Sequence, residues 1–139
     1  MATLIDQSTA DRYYVRDLSN SRFKAFAVVG SDGFLEIDIR TKLEDGARST
    51  SLRGSEQMRQ ILRHFAGRIR GIRGNWQYGD NLRVFNQATT AGMTCEQAAL
   101  QTWTGQQAQA AGFSCVGNVR AGGEPGVYTD VRVEFLPIP

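Results

Sequence analysis

The alternation of apolar and polar residues divides the chain into a strand-rich start, a helical middle and a strand-rich end. Two apolar-rich runs, residues 25–29 and 34–40, flank a short turn that begins and ends with glycine, which predicts a β-hairpin. In the second run, every other residue is apolar and the residues between are charged, so we expect one buried and one solvent-facing side. Residues 13–16 are a candidate edge strand, and residues 1–11 are predicted to form a loosely ordered terminus.

The middle of the chain has the three- and four-residue apolar spacing of an amphipathic helix. This spacing predicts a helix over residues 55–72 with Ser55 as its N-cap, and its apolar stripe consists of Met58, Ile61, Leu62, Phe65, Ile69 and Ile72. At about 100° per residue, a narrow sector beside the stripe collects Arg59, Arg63, Arg70 and Arg73. The sequence therefore predicts four guanidinium groups on one surface of one helix.

Shorter helices and a second hairpin are predicted after this helix. A helix capped by Asp80 is expected to end at Gly92, and residues 94–97 and 104–107 each fit a capping box. These boxes predict two short helices that join at Trp103. Residues 113–119 and 127–135 are predicted to form the last hairpin, because apolar and polar residues alternate in the second of these runs.

The order of these elements predicts an α+β fold. Hairpins pair antiparallel and no βαβ repeat is present, so we expect an antiparallel sheet built from the N- and C-terminal hairpins, with three or four central helices on one face. The chain has 139 residues, of which 41% are hydrophobic, and this is an ordinary size and composition for one domain. We therefore expect residues 1–139 to form a single domain.

Positive charge is concentrated in one quarter of the sequence. Eight arginines and only two acids lie between Arg48 and Arg83, whereas the formal charge of the whole chain is +2. Such asymmetry indicates an anionic partner, namely nucleic acid or another polyanion. Guanidinium groups bind phosphate bidentately, so the four arginines of the predicted sector are candidate phosphate contacts. The alternative is a solvated helix face in a protein that favours arginine, since the chain has fourteen arginines and two lysines.

His64 and two aromatic residues are the other candidate site residues. His64 is the only histidine and therefore a candidate acid or base near neutral pH, although the helical wheel places it opposite the arginine sector. A packed, hydrogen-bonded histidine is the alternative. Trp76 and Tyr78 are candidates for stacking on nucleic-acid bases, and burial in the core is the alternative for both.

No motif in the sequence indicates a metal site or a cofactor. Cys95 and Cys115 have no second cysteine pair or histidine cluster nearby, so they are interpreted as two buried free thiols or one disulfide. The sequence lacks the Gly-rich loops that bind nucleotide phosphates, the Gly-x-Ser-x-Gly motif of serine hydrolases and the His-Glu-x-x-His motif of zinc proteases. The apolar runs are too short to span a membrane and the first residues lack the features of a signal peptide, so we expect a protein that is cytoplasmic, or exported without a cleavable signal, and has no membrane partner.

Several segments of the second half resemble C-terminal domains of bacterial polymorphic toxins of the Rhs and filamentous-haemagglutinin kind. These segments are Trp76-Gln-Tyr-Gly-Asp-Asn-Leu, Ala98-Ala-Leu-Gln-Thr-Trp-Thr-Gly-Gln-Gln-Ala, Gly112-Phe and Gly126-Val-Tyr-Thr-Asp-Val-Arg-Val-Glu-Phe. The resemblance implies a bacterial effector-like domain that acts on nucleic acid, with an immunity protein as its partner. It transfers no catalytic residue to this chain.

Two hypotheses follow from the sequence. In the first, the protein acts on nucleic acid as a metal-independent ribonuclease, in which the four arginines hold phosphate and His64 transfers protons. In the second, it is a non-catalytic binding or oligomerisation module, because few acid or base groups are present and the outer strands of two hairpins could pair between subunits of a homo-oligomer.

Overall fold

The computed structural model describes residues 4–40 and 54–138. In these ranges the chain forms seven β-strands and four α-helices, which confirms the α+β class. The chain divides into two compact units, Met1–Ile69 and Arg70–Pro139, called here the first and second units. The expectation of a single domain stays a prediction.

The first unit contains four strands that pair antiparallel in the order of the sequence, followed by one helix. The strands are β1 (Leu4–Asp6), β2 (Arg12–Asp17), β3 (Lys24–Val29) and β4 (Phe34–Arg40), and the helix is α1 (Gly54–His64). The terminus that was expected to be loosely ordered thus includes β1, which pairs with β2. Residues 13–16, the candidate edge strand, lie in β2 between two other strands.

The turn between β3 and β4 explains the register of this strand pair. Gly33 has a φ of 84°, a left-handed conformation that glycine adopts without strain, and its amide donates to the Gly30 carbonyl at 2.9 Å. The turn sets Ala27 opposite Ile37 and Ala25 opposite Ile39. Ala25 and Ala27 are fully buried, so this side of the strand pair faces the core.

Helix α1 is shorter than the apolar spacing predicts, so the expected helix over residues 55–72 is wrong beyond His64. Gly67 has a φ of 80°, and this left-handed residue turns the chain away from the helix axis. Ile72 then lies in a strand, where it pairs with Phe135. As a correction to the predicted sector, Arg70 precedes that strand and Arg73 lies within it, so neither arginine belongs to α1.

The second unit contains three strands and three helices. In sequence order they are β5 (Gly71–Trp76), α2 (Gly79–Thr90), α3 (Cys95–Gln101), α4 (Trp103–Ala110), β6 (Cys115–Gly122) and β7 (Asp130–Leu136). Strand β7 lies between β5 and β6 and pairs antiparallel with both. Alternate residues of these strands form an apolar face, whose buried members are Ile72, Trp76, Val131, Val133 and Phe135.

The helix ends of the second unit agree only in part with the sequence. Thr94 and Gln97 form the predicted capping box of α3. The box predicted at residues 104–107 is wrong, because the Thr102 side chain caps α4 by accepting from the Gly105 amide at 3.0 Å. Asp80 is not an N-cap either, since Tyr78 holds that position without a side-chain hydrogen bond.

A β-bulge separates the two ends of the β6–β7 pair. Gly117 lies opposite Glu134 and Arg120 opposite Arg132, so β6 has one extra residue in this interval. Asn118 lies in the bulge with a φ of 50°. Residue 127, the predicted start of the last strand, lies in the preceding loop, where the Val127 side chain is 67% exposed.

Candidate functional site

Helix α1 presents two of the four predicted arginines. The Arg59 guanidinium contacts the carboxylate of Glu56 one turn earlier, and both side chains are exposed. Arg63 is also exposed, and its side chain forms no hydrogen bond or ion pair with the part of the chain that the structure describes. An exposed ion pair such as Arg59–Glu56 contributes about 0.2–1 kcal/mol, so it restrains Arg59 only weakly.

His64 is the last residue of α1, and its ring contacts three residues of the first unit. Its Nε2 donates to the Thr9 carbonyl, 2.6 Å away, and its ring has edge-to-face contacts with Tyr13 and Phe65. Because a carbonyl oxygen only accepts hydrogen bonds, Nε2 carries a hydrogen and Nδ1 is the ring nitrogen left to exchange a proton. This geometry is that of a packed, hydrogen-bonded histidine.

Polar groups around His64 are themselves tied into the first unit. Hydrogen bonds from Ser8, with a smaller contribution from the charge of His64, lower the pKa of Asp6. The Tyr13 hydroxyl donates to Oε1 of Gln57 at 2.9 Å, and burial raises the pKa of this tyrosine. Tyr13 therefore stays neutral at physiological pH, whereas Asp6 is ionised.

Arg73 is occupied by an ion pair in the second unit. Its Nη2 and Nε both donate to Oε2 of Glu134, at 2.8 and 3.2 Å, and the two side chains are only 11% and 12% exposed. Asn118 donates to the other carboxylate oxygen of Glu134 at 2.6 Å. The hydrogen bond from Asn118, with help from Arg73, lowers the pKa of Glu134. Because Arg73 stabilises a half-buried carboxylate, it is poorly suited to bind an external phosphate.

Two arginines that the sequence analysis did not select are placed side by side by the sheet of the second unit. Arg120 of β6 and Arg132 of β7 are directly opposite each other, and both are exposed. Neither side chain forms a hydrogen bond or ion pair with the residues in the described ranges. Alternation in β7 indicates that Arg132 faces solvent, but the sequence does not show which residue lies opposite it.

The two candidate stacking residues have different environments. Trp76 is 7% exposed, lies on the apolar face and contacts the ring of Phe85 in α2. Its indole also lies over Gly74, where an added Cβ would come within 2.7 Å of the ring. Trp76 is therefore buried and cannot stack on a base, whereas Tyr78 is 71% exposed.

Two asparagines hold helices and loops of the second unit together. The Asn81 side chain donates from Nδ2 to the Thr104 hydroxyl at 2.9 Å, and its Oδ1 accepts from the Thr104 backbone amide at 3.2 Å. The Asn86 side chain accepts from the Tyr128 backbone amide at 2.8 Å and donates to the Tyr128 backbone carbonyl at 3.0 Å. These paired bonds give both asparagines a structural role.

Cysteine and acidic side chains offer no metal centre in the described part of the chain. Cys95 and Cys115 are both free thiols, but the expectation that they are buried is wrong, because Cys95 is half-buried and Cys115 is exposed. Residues 4–40 and 54–138 contain no group of three or more histidine, cysteine or acidic side chains that could hold a metal ion. Among the helices in these ranges, none combines the length and the hydropathy needed to cross a membrane.

Comparisons with known proteins identify no relative. No family model matches the sequence, and neither the curated proteins nor the solved structures contain a match. The resemblance to polymorphic-toxin domains therefore stays a prediction from the segments that carry it.

Proposed function

We propose that this protein binds nucleic acid through exposed arginines that have no internal partner. The observation that carries the proposal is a shared property of five side chains in the described ranges. Each is exposed and forms no hydrogen bond, ion pair or contact with an aromatic ring there: Arg16, Arg63, Arg70, Arg120 and Arg132.

An arginine without a partner binds phosphate at lower cost than a paired one. A guanidinium that already holds a carboxylate must lose that bond before it contacts phosphate, as Arg73 would have to leave Glu134. An unpaired guanidinium loses only water and keeps its charge at any working pH. Contacts to phosphate carry no sequence information, so we expect binding that is independent of base sequence.

The helices of the second unit support this proposal by their position. We propose that the helices lie on one face of an antiparallel sheet. In the second unit, this arrangement is supported by the contact of Phe85 in α2 with Trp76 on the apolar face. The opposite side of the same strands, called here the polar face, includes Asn75, Arg120 and Arg132. All three side chains are exposed and accessible to a ligand.

The direct test is the binding of a fluorescein-labelled oligothymidylate, measured by fluorescence anisotropy at increasing salt. We expect saturable binding whose logarithm of affinity falls linearly with the logarithm of salt concentration, because bound phosphates release counterions. Absence of saturable binding at about 50 mM salt would remove the proposal, since electrostatic binding is strong at low ionic strength.

A matched pair of variants on α1 separates this proposal from a general effect of charge. Arg59→Ala and Arg63→Ala each remove one positive charge from exposed positions one turn apart, but among the described residues only Arg59 of the two has a carboxylate partner. We expect Arg63→Ala to weaken oligonucleotide binding more than Arg59→Ala does. Equal losses would mean that net charge alone governs binding and would contradict the role of partner-free arginines.

As a second candidate, we propose that the protein is a metal-independent ribonuclease with His64 as its acid or base. The supporting observation is that the Thr9 carbonyl engages only Nε2 of the His64 ring. Proton exchange would use Nδ1, since Nε2 donates to Thr9. Total RNA should be cleaved in the presence of a chelator, and His64→Ala should abolish cleavage while oligonucleotide binding remains. Intact RNA would remove the enzyme and leave the non-catalytic binding module.

The effector role and the homo-oligomer are proposals with separate tests. Expression of the protein in a bacterium should inhibit growth if the toxin resemblance reflects function, and an immunity protein should relieve that inhibition. For assembly, the support is β6, which stands at the end of the strand order of the described residues. Light scattering that gives the mass of one chain would contradict the homo-oligomer.

A further inference from the structure

We infer that Arg120 and Arg132 form a clamp for one phosphate group on the polar face of the second unit. This inference rests on the proposed nucleic-acid binding and deepens it, because it assigns the tightest phosphate contact to two residues. The ligand is a phosphate or phosphodiester group, and its source in the proposed function is the backbone of a nucleic acid.

The register of β6 and β7 brings the two guanidinium groups together. Residues directly opposite in an antiparallel pair have Cβ atoms about 4.5–5.5 Å apart and point to the same side of the sheet. Like charges at such positions repel each other, so the pair costs stability in the absence of an anion. An anion bound between Arg120 and Arg132 would remove this repulsion and accept hydrogen bonds from both groups.

The bulge in β6 is what creates this pairing. Gly117 lies opposite Glu134, so in regular pairing Val119 would lie opposite Arg132. The one extra residue shifts the register and places Arg120 there instead. Bulges commonly redirect a side chain next to a functional site. Here the bulge exchanges an apolar residue for a guanidinium at the position that faces Arg132.

A third donor extends the clamp across the sheet. Asn75 of β5 is the partner of Arg132 on its other side, and its side chain is exposed. Asn75, Arg132 and Arg120 therefore form one row of potential hydrogen-bond donors across three adjacent strands. A phosphate oxygen that is not held by the two guanidinium groups has an amide donor within the same row.

The acids near the clamp form no ion pair with its arginines in the described ranges, although the charge of Arg132 contributes, as the smallest cause, to the lowered pKa of Glu134. Glu134 is on the same face, two residues after Arg132, but Arg73 and Asn118 occupy its oxygens. Asp130, two residues before Arg132, accepts from the Thr129 hydroxyl at 3.2 Å and forms no ion pair with the residues in the described ranges. The two arginines thus keep their charge available for a ligand.

The test uses two probes and two double variants that change net charge equally. Inorganic pyrophosphate is titrated into the whole isotope-labelled protein by NMR, and the labelled oligothymidylate is titrated by anisotropy. Arg120→Ala/Arg132→Ala removes the clamp, whereas the control Arg40→Ala/Arg83→Ala removes two exposed arginines that are paired with Asp38 and Asp80. Circular dichroism and the amide spectrum establish that each variant is folded.

We expect pyrophosphate to shift amide signals of β6 and β7 in the wild type and in the control. The clamp variant should lose this response, and its oligonucleotide affinity should fall by about tenfold or more, because two charge-assisted hydrogen-bonding groups are lost. Restoration of charge with Arg120→Lys/Arg132→Lys should recover only part of the affinity, since lysine lacks the planar fork.

Two results would overturn the clamp, and both differ from failure of the proposed function. Pyrophosphate shifts elsewhere, or equal loss of oligonucleotide affinity in the two double variants, would show that Arg120 and Arg132 have no special role while binding itself stands. Failure of the wild type to bind oligonucleotide would remove the proposed function, and the pyrophosphate titration would still decide whether the clamp binds phosphate.

Discussion

Hydrogen-bond partners decide what each arginine of this protein can do. Arg73 and Arg132 are close in the sheet of the second unit, yet Arg73 is buried against Glu134 whereas Arg132 is exposed. A carboxylate removed from water needs a paired charge, so Arg73 stabilises the fold. Arg132 forms no hydrogen bond or ion pair with the described residues and acts on Glu134 only through its charge. At the scale of single residues, a count of arginines therefore overestimates the number that can bind a ligand.

Replacement of Glu134 tests the stabilising role of the Arg73 ion pair. Glu134→Gln removes the acceptor charge but keeps the shape of the side chain, and at neutral pH it should cost about 1.5–3 kcal/mol of unfolding free energy. Urea unfolding measures this cost. Glu124→Gln is the control, because Glu124 is exposed and its side chain has no partner in the described ranges, so it should change stability by less than about 0.5 kcal/mol.

The same variant gives a prediction for pH dependence. The pKa of Glu134 in the folded protein lies below its ordinary value of 4.5, so the folded state favours the ionised form. This contribution is fully present above pH 4.5 and is lost as the pH falls through the lower folded-state pKa. Wild type should therefore lose stability relative to Glu134→Gln on acidification below that value. A constant difference between the two proteins across this range would contradict the assignment.

Phe65 gives a second residue-scale prediction, in the first unit. Its side chain is fully buried, so Phe65→Ala should cost about 3–5 kcal/mol, from lost apolar burial and the cavity left behind. Leu18→Ala is the control, because Leu18 is 74% exposed and should be nearly neutral. Chemical unfolding of both variants is the measurement, and a cost below about 1 kcal/mol for Phe65→Ala would show that the site collapses or is not buried.

At the scale of elements, short-range signals predicted more than long-range ones. The Thr94 capping box and the alternation of residues 34–40 depend on neighbours in sequence, and the structure contains both. The sequence does not reveal the end of α1, because Ile69 and Ile72 continue the helical apolar spacing by coincidence, although Ile69 lies in the loop after α1 and Ile72 in β5. Gly67, which turns the chain, is also tolerated inside helices, so its presence alone did not mark the end.

The candidate site was harder to predict than the elements, for a physical reason. The arginine sector required one helix over residues 55–72, so the error at its end also separated Arg70 and Arg73 from α1. The pairing of Arg120 with Arg132 requires both the partner strand and the bulge. Strand pairing and bulges are set by contacts distant in sequence, and no local pattern specifies them.

The junction of α3 and α4 provides a prediction at the element scale. An added Cβ on Gly105 would clash with the Ala99 carbonyl oxygen and lie 2.9 Å from Cα of Leu100, both of them backbone atoms. Gly105→Ala should therefore cost about 1–3 kcal/mol or more, because the two helices would have to separate. In the control Gly117→Ala, the new Cβ meets only a Leu136 methyl at 3.4 Å. Thermal unfolding with losses of equal size would contradict the close approach at Gly105.

At the scale of the whole molecule, the net charge of +2 describes the electrostatics poorly. Several charges cancel locally, as in the pairs Arg59–Glu56, Arg83–Asp80 and Arg73–Glu134. The remaining positive charge belongs to side chains such as Arg120 and Arg132, which stay exposed. A polyanion therefore meets local positive sites and not a uniformly basic surface, so its affinity should depend on salt according to the number of sites it contacts.

The salt dependence of binding measures how many phosphates the protein contacts. For a single strand, the logarithm of affinity falls with the logarithm of salt with a slope of roughly −0.7 per phosphate contacted. Four arginines on one helix that each contact a separate phosphate would give a slope of roughly −2.8, whereas a short oligothymidylate held by one phosphate between Arg120 and Arg132 should give roughly −0.7. Anisotropy titrations at several salt concentrations measure the slope, and Arg120→Ala/Arg132→Ala should bring it close to zero for the short ligand. A steeper slope that this double variant leaves unchanged would locate the bound phosphates elsewhere on the molecule.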